Sequence, residues 1–282
     1  MRIGLIDHHL ENFHANTFVD LLKDGQVGHD VEVVAAYEKA PLPGDWCAEH
    51  QIRRASSPAE VVAASDAILL LAPDNVDSHP KLSREALESG KPLVVDKFLA
   101  PSPAEAEQMV AIARKAGTPL FSSTAVRFAA ELDALSVGGR AVSGRGFGAW
   151  PGYAIHTIQP VLKLLGAPVA RVIDTGGAPY ARTVTIETVE GVRGLVDVRP
   201  NVPHDVALWQ FGVQRGDGAS EVEVRDLAGF YAGFLRAAVE FARTGISPVP
   251  DEEMLDVVRV LDYAERSRQA GRQWYDGTEA AR

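Results

Sequence analysis

Residues 57–72 read SPAEVVAASDAILLLA, and this stretch decides the fold. Ser57 stands before Pro58, a hydroxyl cap followed by the residue best suited to the first helical position. A short helix is therefore predicted over Pro58–Ala64. Ala67–Ala72 then runs without a polar residue. A strand apolar on both faces belongs inside a parallel sheet whose two faces are both covered. The same punctuation returns at Ser102-Pro103-Ala104-Glu105 and predicts a second helix, ending near Lys115 before Gly117.

Upstream, Arg2–Ile6 reads as a buried strand. Phe13, Thr17, Phe18, Leu21 and Leu22 recur at helical spacing, and Val31–Tyr37 is a β-branched run. Strand, helix and strand in that length make one βαβ unit. Downstream, Ser78–Ser89 reads as a helix closed by Gly90, with strands at Pro92–Val95 and Leu120–Ser122. The alternation predicts an α/β, Rossmann-like, doubly wound parallel sheet over residues 1–123.

Near Thr124 the alternation stops. Strand-like pieces follow at Val172–Asp174, Thr183–Thr188, Gly194–Arg199, Ala207–Gln214 and Glu221–Val224, with one helix, Ile155–Leu165, before them. Strands in succession imply an α+β domain, residues 124–282, with a mostly antiparallel sheet. Helices at Gly229–Arg243 and Asp251–Ala270 finish the chain. The last is expected to pack back on the first domain.

The 282 residues carry a formal net charge of -10, with 46% hydrophobic and 23% charged residues. That balance suits a globular protein, and the acidic surface argues against nucleic acid or a membrane as partner. No apolar run approaches membrane-spanning length. MRIGLID enters a strand directly, without the layout of a secretory leader, and Cys47 is the single cysteine. Both lead to the expectation of a cytoplasmic protein.

Three stretches carry chemistry. The first is the loop Asp7-His8-His9-Leu10-Glu11-Asn12-Phe13-His14, where a Rossmann domain ordinarily has glycines that let backbone amides approach a pyrophosphate. No glycine lies here, and Asp7 and Glu11 repel phosphate. The three histidines and two carboxylates also admit a metal site, or simply a polar rim. The second stretch is Leu71-Ala72-Pro73-Asp74-Asn75-Val76-Asp77-Ser78-His79-Pro80, followed by ALESGKPLVVDKFL at 86–99. The third is Trp150-Pro151-Gly152-Tyr153-Ala154-Ile155-His156-Thr157-Ile158-Gln159.

The second stretch resembles the Gfo/Idh/MocA family of glucose–fructose oxidoreductase and inositol dehydrogenase, whose members carry a TPNxxH turn and then ALxxGKxVxxEKP. AEAEQMVAIARKAG, Arg127-Phe128, HTIQPVLKLLG and DEEMLDVVRVLDYAERSRQAGR extend the likeness along the chain. The resemblance places the EKP lysine on Lys97, with Asp96 for Glu and Phe98 for Pro at a peptide often cis in the family. It places a substrate-facing histidine on His156. Gly152 stands where that histidine's Asp partner would be, and Tyr153 or Tyr180 are candidates to replace it.

The resemblance thus implies catalytic Lys97 and His156, reaching one cleft. It implies a cofactor, NAD or NADP, along Asp7, His8, Glu38, Ala72, Asn75, His79 and Asp96, with Glu38 on the ribose favouring NAD. No metal ligand is assigned. The implied function is oxidation or reduction of a hydroxyl or carbonyl on a sugar-like or cyclitol-like small molecule, by a homo-oligomer paired through the C-terminal sheet. Two other readings stay open. One is a non-redox descendant that binds a sugar or a partner without dinucleotide. The other is a metal-assisted lyase or hydrolase using His8, His9 and His14.

Overall fold

The computed structural model describes residues 1–25, 27, 28, 30–176, 181–200, 202 and 209–278. The chain divides into two compact units: Met1–Ser123 with Tyr231–Met254, and Thr124–Phe230 with Leu255–Arg282.

The first unit is built on six parallel strands: β1 (Arg2–Asp7), β2 (Glu32–Glu38), β3 (Arg53–Arg54), β4 (Ala67–Leu70), β5 (Leu93–Asp96) and β6 (Leu120–Ser123). Their spatial order is β3-β2-β1-β4-β5-β6, so the winding reverses between β1 and β4. Every residue of β4 and β5 is buried, as two covered faces require. The helices are α1 (Phe13–Lys23), α2 (Trp46–His50), α3 (Pro58–Ala64), α4 (His79–Leu82), α5 (Arg84–Leu87) and α6 (Pro103–Ala116).

The Ser57 and Ser102 hydroxyls accept the Glu60 and Glu105 amides, each at 3.3 Å, which is the capping the sequence predicts. Gly4 serves packing: a Cβ there would lie 2.3 Å from Ser65 Oγ and 2.4 Å from Val61 Cγ1, so its absence lets α3 close onto β1. The helix expected over Ser78–Ser89 is instead broken into α4 and α5. Pro80 sits in the first turn of α4, and the Ser83 hydroxyl donates back to Pro80 O.

The second unit holds β7 (Ala141–Phe147), α7 (Ile155–Leu165), β8 (Val169–Gly176), β9 (Arg182–Thr188), β10 (Arg193–Arg199), β11 (Trp209–Arg215) and β12 (Gly218–Val224). The sheet order is β12-β11-β7-β10-β9-β8; β7 and β10 run parallel and the other neighbours antiparallel. Ala207, in the strand predicted over Ala207–Gln214, lies outside the described residues.

β7 is central, yet the sequence reading misses it, because AVSGRGF has glycines where a strand would have β-branched residues. Those glycines are needed by α7. A Cβ on Gly144 would lie 2.6 Å from Val161 Cγ2, and one on Gly146 only 1.9 Å from Thr157 Oγ1.

Two long helices close the chain, α8 (Leu227–Thr244) and α9 (Asp251–Gln269). The first turn of α9, through Met254, belongs to the first unit, and from Leu255 onward the helix belongs to the second. There the Val169 amide donates to Asp256 at 2.8 Å, and the Asp174 amide to Ser267 Oγ at 3.0 Å. Tyr231–Met254, mostly α8, joins the first unit instead. Phe234 stacks on Phe18 at 5.4 Å, and Phe241 meets Phe121 edge-on at 4.9 Å. Among the described residues no helix is long and apolar enough to cross a membrane.

Candidate functional site

In an open parallel sheet the crevice for ligands opens beyond the C-terminal strand ends, where the winding reverses. Asp7 ends β1 at that point and is fully buried. Its Oδ1 accepts the His8 amide at 2.7 Å and, across the reversal, the Ala72 amide at 3.0 Å. Its Oδ2 accepts Asn12 Nδ2 at 2.9 Å. Burial pushes the Asp7 carboxyl up to about 7, against these three hydrogen bonds and with help from nearby Asp96.

Asn12 also caps α1, its side chain accepting the Ala15 amide at 2.9 Å. Glu38, at the end of β2, is nearly buried; it accepts the Leu10 amide at 2.9 Å and pairs with Arg54. Arg54 is paired a second time, with Asp45 at 3.0 Å.

The turn after β4 faces this loop. Ala72 adopts φ 44°, an uncommon left-handed conformation for alanine. Its carbonyl accepts the Asn75 amide at 3.0 Å and faces His79 Nε2 at 3.2 Å. His79 is wholly buried, with Phe98 O 3.1 Å from its Nδ1. Burial holds its pKa down, so the neutral ring donates on one side only. His8 Nδ1 lies 2.9 Å from Ser78 Oγ, and burial lowers its pKa, followed by Lys39 and His9.

Beyond β5, Lys97 is only 7% exposed, and its Nζ donates to Pro73 O at 2.8 Å. The Lys97–Phe98 peptide is cis. Asp96 Oδ1 accepts the Lys97 amide at 2.7 Å, and its Oδ2 meets His14 Nδ1. Burial opposes ionisation of Asp96, but His14 and the Lys97 ammonium outweigh it and hold the carboxyl below its usual range. The His14 ring lies among Phe13, Phe18 and Tyr231.

The structure thus gathers Asp7, His8, Ala72, Asn75, His79, Asp96 and Lys97 at one sheet edge of the first unit, with Glu38 at the end of neighbouring β2. It adds His14, which sequence reasoning considered only as a metal ligand. The three loop histidines do not converge: His8 goes to Ser78 and His14 to Asp96. No group of three His, Cys, Asp or Glu side chains among the described residues is arranged to hold a metal.

His156 lies in the second unit, 9% exposed, with Nδ1 2.5 Å from Thr124 Oγ1. The Thr124 amide donates to Gln159 Oε1 at 2.8 Å, so one turn of α7 orients both. Thr124 and Gln159 were not predicted; the His156–Gln159 spacing of one helical turn was the available signal. A Cβ at Gly152 would meet nothing within 4 Å. The Tyr153 ring lies 5.4 Å from His156, while Tyr180 lies outside the described residues.

Residues 6–124, which span this sheet edge, match the family model described as "Oxidoreductase family, NAD-binding Rossmann fold". That part of the chain is similar to the Rossmann domain of the Gfo/Idh/MocA oxidoreductases. An uncharacterized oxidoreductase of Escherichia coli, YdgJ, is 24% identical over 202 residues, 62% of this chain and 56% of that relative. The match therefore spans little more than half of the relative's length.

Two solved structures share the fold. A probable dehydrogenase from Thermotoga maritima has a TM-score of 0.81 at 16% identity, covering 96% of this chain and 98% of that one. The myo-inositol dehydrogenase of Lactobacillus casei, in complex with NAD(H) and myo-inositol, has 0.79 at 14%, covering 100% and 98%.

A dinucleotide-binding Rossmann domain needs an acceptor for ribose hydroxyls, donors for phosphates and a polar group for the reacting end. Glu38 at the end of β2 and Lys97 beyond β5 are an acceptor and a donor at this sheet edge. Between them, the amides of His8, Leu10 and Ala15 already donate to Asp7, Glu38 and Asn12. The donors that the phosphates of NAD or NADP would need are in this structure already bonded within the chain.

Proposed function

We propose that the chain is an NAD(P)-dependent oxidoreductase acting on a hydroxyl or carbonyl of a sugar-like or cyclitol-like small molecule. The observation that carries this reading is Lys97, a buried lysine just past a parallel strand end in the family's catalytic motif. An ammonium has three donor hydrogens, so the bond to Pro73 O leaves others for a substrate oxygen. There it stabilises negative charge developing on that oxygen and moves a proton to or from it.

The nicotinamide, when bound, supplies the hydride acceptor or donor. Asp7, His8, Glu38, Ala72, Asn75, His79 and Asp96 are the residues that would hold the cofactor. Glu38 favours NAD, because the nearby Arg54, which would suit a 2′-phosphate, is committed to Glu38 and Asp45. His156, oriented through Thr124, is the second proton carrier. The myo-inositol bound by the Lactobacillus casei enzyme supports a cyclitol-like substrate.

The same reading has the protein working in the cytoplasm as a homo-oligomer through the open face of the second sheet. That face presents Leu195 among Arg145, Asp197, Gln210 and Glu223. The test is fluorescence titration with NADH and NADPH, followed by turnover of NAD with a panel of cyclitols and sugars. Saturable binding and reduction of NAD by one of them are expected. The self-satisfied loop amides favour a second reading, a non-redox descendant, which gains if neither dinucleotide binds.

A further inference from the structure

The loop that sets this chain apart carries carboxylates at its amides. The His8 and Ala72 amides share Asp7 Oδ1, the Leu10 amide is on Glu38, and Asn12 joins Asp7 Oδ2 to the start of α1. A carboxylate taking two amides at the switch point does what a phosphate oxygen does in a dinucleotide-binding turn. Two like-charged acceptors cannot share those donors.

We propose that Asp7 is a latch on the cofactor site: its carboxylate holds the phosphate-binding turn closed, and a dinucleotide enters only as Asp7 takes up a proton and yields the His8 and Ala72 amides. This rests on the NAD(P)-dependent reading above.

The charged and titratable groups around Asp7 bear on when that happens. Asp96, from β5, opposes its charge and is itself paired with His14 of α1 and followed by Lys97. Glu38 of β2 is its register partner and is neutralised by Arg54. His8, beside it in the loop, has its pKa held down and brings no compensating charge at neutral pH. With full burial, Asp7 ionises near 7 rather than near 3.8, so the latch operates within the physiological range. The neutral acid is also a hydrogen-bond donor to phosphate, which the carboxylate is not.

The experiment measures the NADH dissociation constant of the full chain from about pH 5.5 to about pH 9 for wild type, Asp7→Asn and Asp7→Gly. For the wild type, affinity should fall about tenfold per pH unit above the Asp7 midpoint, and calorimetry in buffers of different ionisation enthalpy should find about one proton taken up on binding. Asp7→Asn should lose this dependence and bind at least about tenfold more tightly than wild type at about pH 8.5. Asp7→Gly, which removes the latch altogether, should do the same.

Wild-type affinity that is flat with pH, with no proton uptake, would overturn the latch while leaving the oxidoreductase reading intact; this arm needs no variant to fold. Absence of NADH and NADPH binding by wild type and both variants at every pH would overturn the oxidoreductase reading, and the latch with it.

Discussion

Asp7→Asn should also change how stability depends on pH, without any ligand. Asp7 is fully buried and its carboxyl ionises near 7 in the fold, against 3.8 ordinarily. A group whose folded pKa is raised contributes stability that is whole below the unfolded value and is lost as pH rises through the folded one. The interval is about three pH units at about 1.4 kcal/mol each, so ~4 kcal/mol is lost between about pH 4 and about pH 7.

Asparagine keeps the shape and an acceptor oxygen but never ionises. The difference in unfolding free energy, variant minus wild type, should therefore climb by ~4 kcal/mol over that window and level off above it. Subtraction removes carboxylates with the opposite trend, such as Asp96 and Asp66, whose pKa values are held down. Urea unfolding at matched pH values reads this directly. A difference constant with pH would refute the claim that burial controls Asp7.

Lys97→Ala should retain NADH binding and lose about a hundredfold to ten-thousandfold in turnover. His156→Ala should lose less, because its Asp partner is already replaced by Gly152; steady-state kinetics on whichever polyol is oxidised checks both. His14→Ala leaves the buried Asp96 carboxylate without its imidazole and should cost about 3–5 kcal/mol in urea unfolding at neutral pH. The penalty should shrink in acid, because a depressed carboxyl's contribution is lost as pH falls through its folded pKa. Gly146→Ala drives a methyl into Thr157 Oγ1 and should cost about 1–3 kcal/mol by thermal unfolding, with Gly152→Ala near neutral as the control.

The first sheet was legible because its signals are local. Ser-Pro starts, apolar runs of strand length and glycine stops each concern a few neighbouring residues, and the folded unit honours them. Lys97 and His79 were singled out by their spacing within a family motif, and the structure places both at the sheet edge. β7 was not legible, since Gly144 and Gly146 argue against a strand until α7 lies on them and needs the room. How the last helix is shared between the units was not legible for the same reason: its apolar face says that it packs, while Asp256 and Ser267, meeting the Val169 and Asp174 amides, fix its later turns.

At the site, sequence alone determined that the loop after β1 lacks glycine and is rich in carboxylates and histidines. It did not determine what those groups do. His14 meets Asp96 from the other side of the sheet's winding, and Asp7 meets the Ala72 amide from a strand that is distant in sequence. A side chain's charge state follows from the water and partners around it, and only the tertiary structure removes that water and supplies those partners. Residue type could say that Asp7 is an acid; its burial between β1 and β4 decides that it ionises near 7.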